Sequence, residues 1–258
     1  MTAKDAGKPP LRSVPVATVE VTVIDTNDNS PHFKNDYSTS LREDTAQGKT
    51  LLRVEATDPD SGVNGEIAYT ISSGNGAGFF SLDTTDGVLK VVTSPDRETN
   101  TSFTLTIVAS NKVPVTDSAP ATNTSCNVFI TIEDVNDNAP EITNDVTMVD
   151  IQENSKPVGP VFDVEAVDKD VGANGEIQFQ IVSGNVRNAF TIDPVTGEVS
   201  VNGSLLDRET LDFYTLKIKA SDKGTPSLFS KKDFTVNVTD EDDNKPIFEG
   251  TPYDGKLA

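Results

Sequence analysis

Three near-identical strings punctuate this chain at domain-sized intervals: DTNDNSP from Asp25 to Pro31, DVNDNAP from Asp134 to Pro140, and DEDDNKP from Asp240 to Pro246. Their starts lie 109 and 106 residues apart, the length of one β-sandwich domain. Each string closes a run of alternating β-branched residues and offers hard oxygen ligands directly before a proline. This arrangement predicts a tandem array of β-domains joined by acid-rich, calcium-binding linkers.

Between the strings the chain repeats itself. REDTAQGKTLLRVEATDPDSGVNGEIAYTISSGN, from Arg42, aligns with QENSKPVGPVFDVEAVDKDVGANGEIQFQIVSGN, from Gln152. Glu43 matches Glu153, Asp58 matches Asp168, Asp60 matches Asp170, and Asn64-Gly65-Glu66-Ile67 matches Asn174-Gly175-Glu176-Ile177. Further on, FSLDTTDGVL from Phe80 matches FTIDPVTGEV from Phe190, and Asp96-Arg97-Glu98 matches Asp207-Arg208-Glu209. The offset stays at 110 to 111 residues, so two copies of one domain follow each other with almost no insertions. AKDAGKPPLRS from Ala3 matches ASDKGTPSLFS from Ala220, which predicts that residues 1–30 are the C-terminal part of a preceding repeat with its linker. Full repeats are then expected over 31–139 and 140–245, with 246–258 beginning a following one.

Strand patterns recur inside each copy. Phe103, Leu105, Ile107 and Ala109 alternate with polar residues, as do Tyr214, Leu216, Ile218 and Ala220. The runs leading into the acidic strings alternate too: Val19, Val21 and Val23; Val128, Ile130 and Ile132; Phe234, Val236 and Val238. No apolar stripe at helical spacing competes with them. The predicted fold is all-β: tandem antiparallel β-sandwiches in a linear array.

Charge narrows the function. The chain has 41 acidic and 21 basic side chains, a formal net charge of -20, which excludes nucleic acid and anionic membrane as natural partners. Cations are the expected ligands. Cys126 is the only cysteine, so no intrachain disulfide forms. Four glycosylation sequons, at Asn100, Asn123, Asn202 and Asn237, suit an extracellular chain. No apolar run approaches the roughly 20 residues that span a bilayer, and MTAKDAGKPP has no signal-peptide core. An anchor and a leader, if the parent protein is membrane-bound, are expected outside this stretch.

Taken singly, NDN, DPDSG and DKDVG read as turns, because Asp, Asn, Gly and Pro suit tight backbone geometry. Taken together they exceed turn chemistry. Turns do not require Glu43, Asp96-Arg97-Glu98 and Asp134-Val135-Asn136-Asp137-Asn138 to recur as a set in each copy, whereas a cage drawn from separate loops does. Calcium takes about 6 to 8 oxygen ligands. The nitrogen and sulfur ligands of zinc and copper are almost missing; His32 is the only histidine and is expected on an exposed loop. Arg97 and Arg208, each between two acids, read as surface charge pairs of little energetic weight.

The ordered set of an early Glu, Ala-x-Asp-x-Asp-x-Gly-x-Asn-Gly, Asp-Arg-Glu, Ala-Ser-Asp and a closing Asp-x-Asn-Asp-Asn-x-Pro resembles extracellular cadherin repeats. The resemblance covers nearly the whole chain, and five motifs in order make it specific. It implies Greek-key sandwiches with about three calcium ions at each complete boundary. At the central boundary it assigns Glu43, Asp96 and Glu98 from one repeat, Asp134, Val135, Asn136, Asp137 and Asn138 from the linker, and Asp168, Asp170, Asn174 and Asp222 from the next. Val135, Asn138 and Asn174 are expected to act through backbone carbonyls. At the first boundary it assigns Asp25, Asn27, Asp28 and Asn29 with Asp58, Asp60, Asn64 and Asn111. Asn111 stands where Asp222 stands in the other copy, so weaker third-ion affinity is expected there. At the last boundary it assigns Glu153, Asp207 and Glu209 with Asp240, Asp242, Asp243 and Asn244; Asp242 replaces the usual Asn.

The resemblance further implies calcium-dependent cell-cell adhesion, no enzyme activity, and an extracellular position in a single-pass plasma-membrane protein. Other cadherin ectodomains are the implied partners, homophilic or heterophilic, with no direct membrane contact from this stretch. Regular inner repeats without tryptophan suit a protocadherin-like or Fat/Dachsous-like member. Two alternatives remain in view: a bacterial or non-animal cadherin-like surface adhesin, and a calcium-dependent hydrolase using paired carboxylates.

Overall fold

The computed structural model describes residues 3–11, 18–75, 78–113, 124–203 and 206–247. The sequon at Asn123 and most of the expected start of a following repeat, 248–258, lie outside the described residues. The chain divides into two compact units, Met1–Ile132 and Glu133–Ala258.

The first unit runs β1 His32–Phe33, β2 Tyr37–Arg42, β3 Thr50–Arg53, β4 Ala56–Thr57, β5 Ile67–Ser73, β6 Phe80–Leu82, β7 Val88–Val91, β8 Ser102–Asn111 and β9 Thr124–Glu133. Four strands form one sheet in the order β2-β9-β8-β5, three form another in the order β3-β7-β6, and β1 pairs with β4. The second unit repeats the plan with β10 Glu141–Ile142, β11 Met148–Gln152, β12 Phe162–Asp163, β13 Ala166–Val167, β14 Gln178–Ser183, β15 Phe190–Ile192, β16 Glu198–Val201, β17 Phe213–Ser221 and β18 Phe229–Thr239. Its sheets are β11-β18-β17-β14, β12-β16-β15 and β10-β13. Only two short 3-10 turns interrupt the strands among the described residues, at Gly62–Gly65 and Val186–Asn188.

Period-two alternation explains why these segments are strands. In β8, Leu105, Ile107 and Ala109 are fully buried while Thr104 faces solvent; in β17, Leu216, Ile218 and Ala220 are fully buried while Thr215 faces solvent. Each unit closes on its own apolar core. Leu41, Leu89, Leu105, Val128 and Ile130 share one; Ile151, Val199, Leu216, Phe234 and Val236 share the other. Cys126 belongs to the first core, and burial, aided by the charge of Asp36, pushes its thiol up to about 11.

Four details differ from expectation. β11 lies parallel to β18, Met148 against Thr235 through Gln152 against Thr239, so the sheets are not purely antiparallel. These strands are far apart in sequence, so no hairpin forces them to run in opposite directions. Val19, Val21 and Val23 alternate as strands do, yet residues 18–30 form none and the three valines are exposed. A strand needs a neighbour for its ladder, and among the described residues nothing pairs with this run. His32 is exposed, but it sits in β1 opposite Thr57 rather than in a loop. Arg97 is buried, at 8% exposure, and is no surface charge pair.

A repeated Ser-Gly-Asn fixes the exit from the edge strands β5 and β14. Asn75 Nδ2 donates to Phe80 O at 2.7 Å and its Oδ1 accepts from Phe80 N at 3.1 Å; Asn185 holds Phe190 in the same way at 2.8 and 3.0 Å. The two copies therefore turn between their sheets identically, and the acidic residues ride on loops that recur with the same precision.

Candidate metal centre

The second unit gathers the linker string over two of its own loops. The Asp134 carboxylate accepts Val171 N at 3.2 Å and Asn174 Nδ2 at 2.9 Å. Asn138 bonds Asp170 twice, N to Oδ2 at 3.2 Å and Nδ2 to Oδ1 at 2.8 Å, and its Nδ2 also donates to Asp137 Oδ1 at 2.7 Å. Asn136 Nδ2 donates to Pro226 O at 2.6 Å. Asp168 Oδ1 accepts Asp170 N at 3.0 Å, the bond of a tight turn. Asp222 is anchored by the N–H groups of Gly224 and Leu228. Asp137 N donates to the Val135 carbonyl at 2.8 Å.

Asn136 Oδ1 and Asp168 Oδ2 are shielded from solvent and accept no hydrogen bond. A buried acceptor left unmade costs about 1 to 3 kcal/mol. Burial, together with the neighbouring carboxylates Asp170 and Asp222, raises the Asp168 carboxyl above its ordinary range, against the pull of the Asp170 N–H. Oxygen-only, anionic and short of hydrogen-bond donors, this donor set fits a hard divalent cation.

The first unit builds the same frame from its own string. Asp25 Oδ2 accepts Ser61 N and Asn64 Nδ2, each at 3.0 Å. Asn29 bonds Asp60 through both N and Nδ2, and Asp28 Oδ1 accepts Asn29 Nδ2 at 2.9 Å. Asn27 Nδ2 donates to Val113 O at 2.8 Å, and Asp58 Oδ1 accepts Asp60 N at 2.9 Å. The donor from Asn29 holds the Asp60 carboxyl below its ordinary range. Asn111 occupies the Asp222 position and points its Nδ2 at this frame.

At the other end of each unit, a buried glutamate accepts a backbone N–H from the Asp-Arg-Glu turn. Glu43 Oε2 accepts Arg97 N at 2.8 Å, and Glu153 Oε2 accepts Arg208 N at 2.8 Å. Thr99 and Thr210 hydroxyls donate to Asp96 and Asp207 at 2.7 Å each. Sequence reasoning missed these threonines, although Thr follows Asp-Arg-Glu in both copies. Burial raises the Glu98 carboxyl, helped by its bond with Asp96 and the charge of Glu43; its guanidinium partner is Arg97.

In the second unit this lower set also meets the last acidic string. Glu153 Oε1 accepts Glu241 N at 2.9 Å, and the N–H groups of Glu241 and Arg208 hold its carboxyl below the ordinary range. Glu153, Glu209 and Asp243 can each bring one oxygen within 4.8 Å of the other two. Asp240 pairs with Arg208 at 3.2 Å, and Asn244 Nδ2 donates to Asp243 at 2.6 Å. Asp242 is exposed.

The head of the chain carries one more copy of a cluster loop. Asp5 Oδ1 accepts Gly7 N at 3.0 Å and Leu11 N at 2.9 Å, while Asp5 N donates to Leu11 O. Asp222 has the same bonds to Gly224 and Leu228.

This geometry coincides with a family match. The family model for the cadherin domain matches residues 37–133 and 147–239. The chain belongs to the cadherin family. It is 39% identical over 258 residues to the human protein named cadherin EGF LAG seven-pass G-type receptor 2, covering 98% of this chain and 9% of that protein. It is 36% identical over 252 residues to the fruit-fly (Drosophila melanogaster) Fat-like cadherin-related tumor suppressor homolog, covering 97% and 5%. The crystal structure of the protocadherin gammaB4 extracellular domain superposes with a TM-score of 0.82 at 35% identity, covering 98% of this chain and 38% of that one. Mouse cadherin-23 EC22-24 gives 0.77 at 30%, covering 93% and 73%. This cadherin chain therefore spans under a tenth of the curated relatives named here, and its all-β tandem-repeat architecture is that of its structural neighbours.

Proposed function

We propose that this cadherin chain is a calcium-stiffened stretch of a cell-adhesion ectodomain, with repeats over 31–139 and 140–245 and acidic linkers that bind calcium. The observation that carries the reading is the pair of buried oxygens without hydrogen bonds, Asn136 Oδ1 and Asp168 Oδ2, inside an all-oxygen anionic cluster. Asp134, Asn136, Asp137, Asp168, Asp170 and Asp222, with the carbonyls of Val135, Asn138 and Asn174, would hold about three ions together with Glu43, Asp96 and Glu98 of the preceding repeat. The ions would supply positive charge that offsets mutual repulsion of the carboxylates and removes hinge freedom at the joint. Extracellular modules bind calcium with dissociation constants of roughly 0.1 to 1 mM, so the joint is loaded outside cells.

Adhesion through pairing with other cadherin ectodomains follows as the role, in the extracellular part of a plasma-membrane protein. One relative is named a seven-pass receptor, so a single span is not the only anchor that accommodates such repeats. The named relatives are animal proteins, which favours an animal adhesion protein over a bacterial adhesin. The recurrence of the same acids in both copies disfavours a hydrolase, whose acid and base need unlike surroundings.

The test compares wild type with Asp134→Ala, in calcium and in chelator. Wild type gains thermal stability with calcium by mass action, and its scattering profile changes in chelator. Asp134→Ala keeps both sandwiches folded and gains less. A scattering profile and melting curve indifferent to calcium in the wild type would sink the reading.

A further inference from the structure

The two copies treat one buried pocket in opposite ways. In the second unit, Asn136 Oδ1 and Asp168 Oδ2 accept no hydrogen bond. Their counterparts in the first unit are Asn27 Oδ1 and Asp58 Oδ2, and both accept from Asn111 Nδ2, at 2.9 and 3.2 Å. The same nitrogen donates to Asn64 O at 3.0 Å and Asn29 O at 3.3 Å. Four oxygens from four residues thus converge on one nitrogen at 2.9 to 3.3 Å.

We propose that the Asn111 carboxamide nitrogen takes the place of a cation in the first unit, so that this linker binds one calcium ion fewer than its counterpart in the second unit. The inference rests on the calcium reading of the linkers and sharpens it. Charge balance supports it. The second-unit pocket sets Asp168 beside two further carboxylates, Asp170 and Asp222, which suits a divalent ion. The first-unit pocket lacks the carboxylate at the Asp222 position, and the two N–H protons of Asn111 are shared among four acceptors.

The carboxamide has two ways to face this pocket, and chemistry selects one. Turned with Oδ1 inward, Asn111 would place a fifth acceptor against four others with no proton between them. Only a bound cation would stabilise that orientation. With Nδ2 inward, the polar frame is satisfied without an ion. Lower affinity from one missing charge, the expectation from sequence, leaves the site vacant at low calcium and filled at high calcium; replacement by the amide keeps it closed through the calcium range that fills the second-unit pocket.

Bound calcium per chain, measured by equilibrium dialysis at saturating ion on the full chain, reads the difference. Asn111→Asp should bind one ion more than wild type, and Asp222→Asn one fewer. Proton-nitrogen spectra of labelled wild type give a second readout that needs no variant. The Asn111 side-chain amide should stay protected and unmoved through a calcium titration that shifts the Asp168 and Asp222 signals. The proposal falls if Asn111→Asp leaves the count unchanged in a folded chain, or if the Asn111 amide shifts with calcium as a ligand's would. If wild type binds no calcium and Asp222→Asn changes nothing, the linker reading itself fails and takes this inference with it.

Discussion

Gly184 shows how far a single residue constrains this fold. It sits at φ +83°, and a Cβ there would lie 1.8 Å from Thr215 O; Gly74, its counterpart, has φ +89° and would place a Cβ 1.9 Å from Thr104 O. Both faults act at once, because the left-handed region costs an L-residue roughly 1 to 2 kcal/mol and the carbonyl belongs to a central strand that cannot yield freely. Gly184→Ala should therefore destabilise the second unit by at least ~2 kcal/mol, read as a lower urea midpoint at unchanged slope. A second residue-scale effect is electrostatic. Asp193 Oδ1 accepts Thr196 N at 2.9 Å and Val195 N at 2.8 Å, and these bonds lower its carboxyl below the ordinary range. A depressed native pKa stabilises above the unfolded value of about 3.9 and ceases to do so as pH falls through the lowered native value. Asp193→Asn keeps an acceptor but no titration, so its stability should fall less steeply than wild type between about pH 5 and the acid limit. Urea midpoints across that range, in chelator, make the comparison.

Elements were legible where their partners are local and opaque where they are not. The alternation in β8 and β17 reports directly on the buried face, because a period of two admits no other assignment once one face is apolar. The same alternation at Val19, Val21 and Val23 yields no strand, since pairing is a property of two segments and only one is visible in a sequence window. The parallel pairing of β11 with β18 was opaque for the same reason. Within the site, the spacing of the acids revealed which loops gather around the linker strings. It did not reveal that Arg97 is buried or that the Thr99 and Thr210 hydroxyls brace the aspartates, because those depend on side-chain direction. Asn111 is the sharpest case: the sequence registers a lost charge, while the direction of an amide nitrogen exists only in three dimensions. The facing of β17 makes a paired test. Leu216 is fully buried and Phe213 is 53% exposed on the same strand. Leu216→Ala should cost ~2 to 5 kcal/mol, and Phe213→Ala within about 0.5 kcal/mol if no partner covers it, both by chemical denaturation.

At the scale of the whole molecule, the decisive quantity is the net charge of -20 and the places where it concentrates. Scattered over a surface, such charge aids solubility and spreads its self-repulsion over the whole molecule. Here Glu153, Glu209 and Asp243 approach within 4.8 Å through their oxygens, and Asp168 lies beside Asp170 and Asp222. Without a divalent ion these clusters repel, and only mobile counterions soften the repulsion. Monovalent salt should therefore act with opposite sign in the two states. In chelator, raising sodium chloride from about 0.01 to about 1 M shortens the screening length from about 30 Å to about 3 Å, and the melting temperature should rise. With calcium near the dissociation constant of the proposed sites, the same salt should screen the attraction that would hold the ion, so occupancy and the stabilisation it brings should fall. Scanning calorimetry over both salt series decides the matter. Parallel salt responses with and without calcium would mean that the acids are ordinary solvated surface and that the ion contributes nothing beyond screening.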